Sequence, residues 1–213
     1  MSIKLKICGI KERAVAELAL ELGVNYVGCI LYPDSPRNVD SDKVEDIFGS
    51  LPEGTRVAVT VRPSVEDLKS ILDLSLDYYQ LHLNPLEDLD LAYQWSELVG
   101  KDQLWLAPKI APNQSFPLEL LSIADRFVID SYNKDAYGGT GTTGSWSRFK
   151  EFQQIDPNKE WILAGGLSPE NIKNAIAQTD ANFLDVNSGV ESNSGVKDVH
   201  KIQQLFQNIE FHS

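Results

Sequence analysis

Leu5-Lys6-Ile7-Cys8-Gly9-Ile10 opens the chain, and Phe127-Val128-Ile129-Asp130 repeats its design in the second half. Each is a short apolar run that ends in a chemically active residue, a thiol in one and a carboxylate in the other. Each has the length and composition of a buried strand. Working outward, runs of the same kind recur at residues 5–8, 26–31, 56–61, 78–82, 104–110, 126–130, 161–164 and 183–186, which makes eight. Amphipathic stretches lie between them. Val15, Leu18, Ala19 and Leu22 fall at helical spacing within 11–22. Ser64-Val65-Glu66-Asp67 reads as a capped start ahead of Leu68, Ile71 and Leu72. Ser168-Pro169-Glu170 puts serine at an N-cap and proline at the first helical position, before Ile172 and Ile176. Val199, Ile202, Leu205 and Phe206 mark a last helix. The weakest helical pattern spans 87–99, where polar residues dominate, and Pro108, Pro112 and Pro117 crowd the fifth.

Strands that alternate with helices pair in parallel through right-handed crossovers. Eight such units in 213 residues suit an α/β fold, a closed (β/α)8 barrel, better than two doubly wound halves. With no composition shift or low-complexity linker, residues 1–213 are expected to form one barrel domain.

Composition narrows the function. The chain carries 19 Lys and Arg against 31 Asp and Glu, a net charge of −12, which repels nucleic acid and anionic membrane. There is no run of apolar residues long enough to span a bilayer, so no membrane partner and a cytoplasmic setting are expected. Cys8 and Cys29 are the only cysteines, and no Cys/His spacing suggests a metal site. Any anion site must be built locally, from backbone N–H groups and a few placed cations.

In a barrel of this kind, chemistry sits at the C-terminal strand ends and in the loops that follow. Cys8, Arg37, His82, Asp130 and Asp185 occupy such places. A lone cysteine is commonly a small buried hydrophobe, but the strand-end position of Cys8 favours a functional thiol. Lys6 is not counted on to support it. Cys29, in mid-strand, reads as core. Arg37 follows the stiff turn Tyr32-Pro33-Asp34-Ser35-Pro36, where a guanidinium can grip a carboxylate, although arginine after such a turn is often a solvated surface residue. Arg62 and Lys109 are weaker candidate cations. Glycine-rich stretches follow the late strands at Gly138–Gly144, at Ala164-Gly165-Gly166-Leu167, and from Ser188-Gly189 to Ser194-Gly195. Such stretches can turn N–H groups onto an anion, and phosphate in these barrels often sits between the last two loops. The first stretch, with Gly141, reads as a lid.

Taken together, Lys6-Ile7-Cys8-Gly9, Ser35-Pro36-Arg37, Gln80-Leu81-His82, Gly138-Gly139-Thr140-Gly141, Ala164-Gly165-Gly166-Leu167 and Asp185-Val186-Asn187-Ser188-Gly189-Val190-Glu191 resemble the phosphoribosylanthranilate isomerase family of tryptophan biosynthesis, in order and over the whole chain. The resemblance implies a cofactor-free Amadori rearrangement of a phosphorylated sugar–anthranilate substrate. Asp130 would be general acid and Cys8 general base. Arg37 would hold the anthranilate carboxylate, with His82, Gly141 and Asp185 also at the substrate. Gly165, Gly166, Ser188, Gly189, Ser194 and Gly195 would cradle the phosphate. It implies no metal and a monomer or homodimer. The chain departs from the family pattern at Leu83-Asn84-Pro85, Thr142, Arg62 and Asn187. The sister sugar isomerase of histidine synthesis typically has aspartate where Cys8 stands. A non-catalytic phosphometabolite-binding relative is the alternative from a different class.

Overall fold

The computed structural model describes residues 3–111, 113–130 and 146–210. Eight parallel strands close into a ring in chain order: β1 (Lys4–Cys8), β2 (Tyr26–Ile30), β3 (Arg56–Val61), β4 (Tyr78–Leu83), β5 (Leu104–Pro108), β6 (Arg126–Ile129), β7 (Glu160–Leu163) and β8 (Phe183–Val186). Helices α1 (Arg13–Glu21), α2 (Ser41–Phe48), α3 (Val65–Leu72), α4 (Leu89–Val99), α5 (Ser147–Gln153), α6 (Ile172–Thr179) and α7 (Val199–Glu210) lie between and after the strands. A single 3-10 turn, Leu118–Ser122, takes the fifth crossover, as its prolines lead one to expect. After β8 come a short 3-10 turn, Ser188–Val190, and a hairpin of β9 (Glu191–Asn193) and β10 (Val196–Lys197).

The expected barrel is thus the observed one, with strand limits shifted by no more than two residues. β5 stops at Pro108 instead of running to 110, and Asp130 and Ala164 stand just past β6 and β7. Ser64 caps α3 as read: its side chain accepts from Asp67 N–H, and the Asp67 carboxylate accepts from Ser64 N–H. Two helix expectations change. α6 begins at Ile172, behind a turn in which Asn171, not Ser168, organises the entry: Asn171 Oδ1 accepts from Ser168 N–H. The polar-looking 87–99 stretch is a full helix, because Ala92, Trp95 and Val99 form a buried stripe and Trp95 Nε1 donates to Pro63 O at 3.0 Å. α2 is held by buried Val44 and Phe48, a stripe too sparse to read unaided.

Period-two alternation sorts each strand into residues that face the helices and residues that face the barrel axis. The inward residues stack in layers contributed by alternate strands. Lys6, Val57, Trp105 and Ile162 come from odd strands; above them Gly28, Gln80, Val128 and Asp185 come from even ones; above these lie Cys8, Val59, Ala107 and Ala164. Beneath, at the strand starts, the rings of Tyr26, Tyr78, Trp105 and Phe183 pack with centroids 5.1–5.6 Å apart. The Arg126 guanidinium lies 5.0 Å from the Tyr78 ring. This apolar floor closes one end of the barrel and leaves the C-terminal end open.

Trp95 carries both the packing of α4 and its tie to the loop after β3. Trp95→Ala is expected to cost about 3–5 kcal/mol, read as a lower urea midpoint with an unchanged slope. A change below about 1 kcal/mol would show that α4 does not depend on it.

Candidate active site

The open end holds a cavity of about 790 Å³ of empty space, part of it open to solvent. Cys8, Arg37, His82, Asp130, Gly165, Gly166, Asp185 and Ser188 all line it, beside Ile30, Tyr32 and Val59. A neighbouring groove continues from Arg37, Gly166 and Ser188 to Gly189, Asn171, Glu191 and Ser194. Most of the residues selected from the sequence therefore converge on one connected hollow.

Beneath Cys8 lies a buried polar cluster. Lys6, fully enclosed, donates from Nζ to Gln80 Oε1 at 2.7 Å and to Asp185 Oδ2 at 2.9 Å. Burial works against its charge, but Asp185 and Cys8 outweigh burial and hold the ammonium above its ordinary pKa. With its oxygen taken by Lys6, the Gln80 amide presents its NH2 to His82 Nε2, 3.3 Å away. That nitrogen accepts, so the ring proton sits on Nδ1. Burial first, and the Lys6 charge second, push His82 down to about 4, so the imidazole is neutral near pH 7. Burial raises Cys8, while Lys6 and Lys197 pull it down and Asp185 pushes it up; the net is a raised thiol. Cys29 faces the helix layer, is raised by burial, and is core as expected.

A second cluster fixes Arg37. Its Nε and Nη2 donate to the two Glu191 carboxylate oxygens at 2.7 and 2.8 Å. Lys197, also enclosed, donates to Glu191 Oε1 at 2.9 Å and to Asn187 Oδ1 at 2.8 Å. Glycines make room for this. A Cβ on Gly9 would lie 2.9 Å from Arg37 Cδ, and one on Gly195 would lie 2.7 Å from Pro36 O, and both glycines have positive φ. Burial would raise Glu191, yet the Arg37 hydrogen bonds and Lys197 hold it low; Arg37 is raised chiefly by its bonds to Glu191. Two cations against one anion leave a net positive charge beside the hollow.

A model of the family described as N-(5'phosphoribosyl)anthranilate (PRA) isomerase matches residues 5–208. The chain belongs to that family. The isomerase of a Synechococcus species is 32% identical over 98% of this chain and 97% of its own. The crystal structure of the Thermus thermophilus isomerase covers 99% of this chain and 100% of its own, at 26% identity and a TM-score of 0.82. Another isomerase structure, 25% identical with a TM-score of 0.76 over 98% of this chain and 99% of its own, is a complex with reduced 1-(o-carboxyphenylamino)-1-deoxyribulose 5-phosphate.

Measured against the isomerase pattern, not every expected residue reaches the hollow. Gly195 gives its N–H to Glu191 Oε2 at 3.2 Å, which leaves it a positioner of Glu191. Gly141, Thr142 and the expected lid lie outside the described residues. Arg62, at φ 46°, turns to Asp88 and Glu87, and Lys109 lines a separate shallow groove with Leu86 and Leu118. Asn187 ties Lys197 to the eighth loop. Sequence reasoning missed Lys6, Gln80, Glu191 and Lys197 as site residues. Period two was the available signal for the first pair, since it places Lys6 with Cys8 and Gln80 with His82.

The His82 assignment is open to measurement. Long-range ¹H–¹⁵N spectra should show the Nδ1–H tautomer, neutral until about pH 4. The unfolded chain takes this proton near pH 6.5, so His82 lowers stability progressively as pH falls from there toward 4. An ordinary titration near 6.5 would refute the arrangement.

Proposed function

We propose that this chain catalyses the isomerisation that names its family, with Cys8 as general base and Asp130 as general acid. The substrate is N-(5'-phosphoribosyl)anthranilate and the product 1-(2-carboxyphenylamino)-1-deoxyribulose 5-phosphate. The reading rests above all on one observation: a thiol at the end of β1 and a carboxylate just past β6 line the same hollow. Asp130 protonates the furanose ring oxygen, and the ring opens to a Schiff base. The Cys8 thiolate then takes the proton from C2 of the ribose. The resulting enolamine tautomerises to the aminoketone. Two groups of different reference pKa, in separate surroundings, can hold the opposite protonation states this needs.

The clamp on Arg37 refines how it would meet the anthranilate carboxylate. Its Nε edge is committed to Glu191, so the ligand takes the end that carries Nη1. The loops at Gly165-Gly166 and Ser188-Gly189 would hold the phosphate beside the net positive Arg37–Lys197–Glu191 cluster. His82, neutral, would serve as an uncharged donor, and Ser194 would close the groove. Each step uses side chains alone and no cofactor. The same reading takes residues 1–213 as one domain acting in the cytoplasm as a monomer or homodimer. The Thermotoga maritima isomerase is dimeric, and monomers have been generated from it. Among the described residues no helix is long and apolar enough to cross a membrane.

Turnover of phosphoribosylanthranilate, followed by loss of its fluorescence, is the test. Cys8→Ala and Asp130→Ala should each lose roughly a hundredfold or more in kcat while binding of a product analogue survives. Arg37→Ala should act mainly on KM. A wild-type chain that binds the phosphate ester tightly without turnover would favour the non-catalytic relative.

A further inference from the structure

A lysine with no exposure, inside a barrel, needs an explanation that stability does not supply. A buried ion pair such as Lys6–Asp185 is often no more stabilising than apolar residues of like volume. The layered interior shows where Lys6 is directed. It rises from the lowest odd-strand layer into the even-strand layer of Gly28, Gln80, Val128 and Asp185, where the one missing side chain is that of Gly28. A Cβ there would lie 2.9 Å from Cys8 Sγ and 3.1 Å from Lys6 Cε. Gly28 is the register partner of Cys8 on β2. The gap it leaves is the passage through which the lysine stem reaches the sulfur in the layer above. Glycine inside a strand marks such close approaches. Two of the three ammonium protons go to Gln80 and Asp185, and the Cys8 thiol is near enough to the same ammonium for each charge to act on the other.

We propose that Lys6 is a positioning residue whose ammonium, clamped by Asp185 and Gln80 and admitted by Gly28, supplies the counter-charge for the Cys8 thiolate. The proposal rests on the reading of Cys8 as the base. Lys6 keeps its three protons throughout; only Cys8 gains the substrate proton and later returns it. Other charged or titratable groups also face Cys8. Asp185 opposes the thiolate from β8, Lys197 supports it from β10, and Arg37 stands in the loop after β2. Asp130 lines the same hollow, Cys29 lies behind on β2, and His82 is neutral beside Lys6.

Lys6 and Asp185 act on the thiol with opposite sign, and a merely structural pair would not. The rate of iodoacetamide alkylation at Cys8, located by peptide mass with core Cys29 as internal control, reads the thiolate directly against pH. Lys6→Met should move that profile up by about one pH unit, roughly tenfold in thiolate at fixed pH. Asp185→Asn, which keeps the ammonium and an acceptor oxygen, should move it down. Lys6→Arg should stay near wild type. If Lys6→Met fails to fold by circular dichroism, the other two variants still decide. A wild-type profile in Asp185→Asn overturns the proposal, as does a shift upward. The acid limb of kcat/KM for phosphoribosylanthranilate should follow the alkylation profile in each variant. Alkylation that shifts while this limb stays fixed would keep the Lys6–Cys8 coupling and reject Cys8 as the base.

Discussion

Closure of the sheet between β1 and β8 is the constraint on which the rest depends. The register of that seam sets Lys6 directly opposite Asp185 and Ile7 opposite Val186. The first and last thirds of the chain thereby share one wall. Inside the wall, the Lys6–Asp185 pair spans the seam. Above it, Gly9 lets Arg37 pass across the end of β1 to reach Glu191. Loops from residues 9, 37 and 187–197 can interlock only because the ring has closed beneath them.

The seam also organises charge. A chain with twelve excess negative charges must collect an anionic ligand against its own field. It does so by neutralising acids locally and leaving cations over. Glu191 is covered by Arg37 and Lys197, and Asp185 by Lys6. Each pair is enclosed, so solvent screens it little. The price is desolvation of every partner; the hydrogen bonds among Arg37, Glu191 and Lys197 offset it in that cluster, whereas Asp185 Oδ1 is buried without a hydrogen-bond partner among the described residues.

Much of this was legible in the residues themselves. Eight strand runs, seven of them within a residue of the observed limits at each end, define a barrel, and the strand-end rule selects Cys8, Asp130, Arg37, His82 and Asp185. Less legible is what lies one layer deeper. Alternation sets Lys6 away from Ile7 and only approximately on the side of Cys8, and nothing local announces the aspartate 179 positions away that makes its burial tolerable. Gly28 reads as a weak point in a strand until the sulfur across the sheet is known. Glu191 and Lys197 look like surface charges, since their enclosure comes from a hairpin that folds over Arg37. The helix at Leu89–Val99 reads as weak because polar residues dominate its pattern, whereas one tryptophan with a partner 32 residues earlier outweighs them.

Among the described residues, the aromatic floor of Tyr26, Tyr78, Trp105 and Phe183 makes the barrel a cup with a single door. Whatever enters at the C-terminal rim must leave by it. The proposed product keeps the carboxylate and the phosphate of its precursor, so it departs through the same doorway that the next molecule needs. Traffic through such a vessel is strictly in series: each turnover ends with an eviction, and a crowded exit is also a blocked entrance.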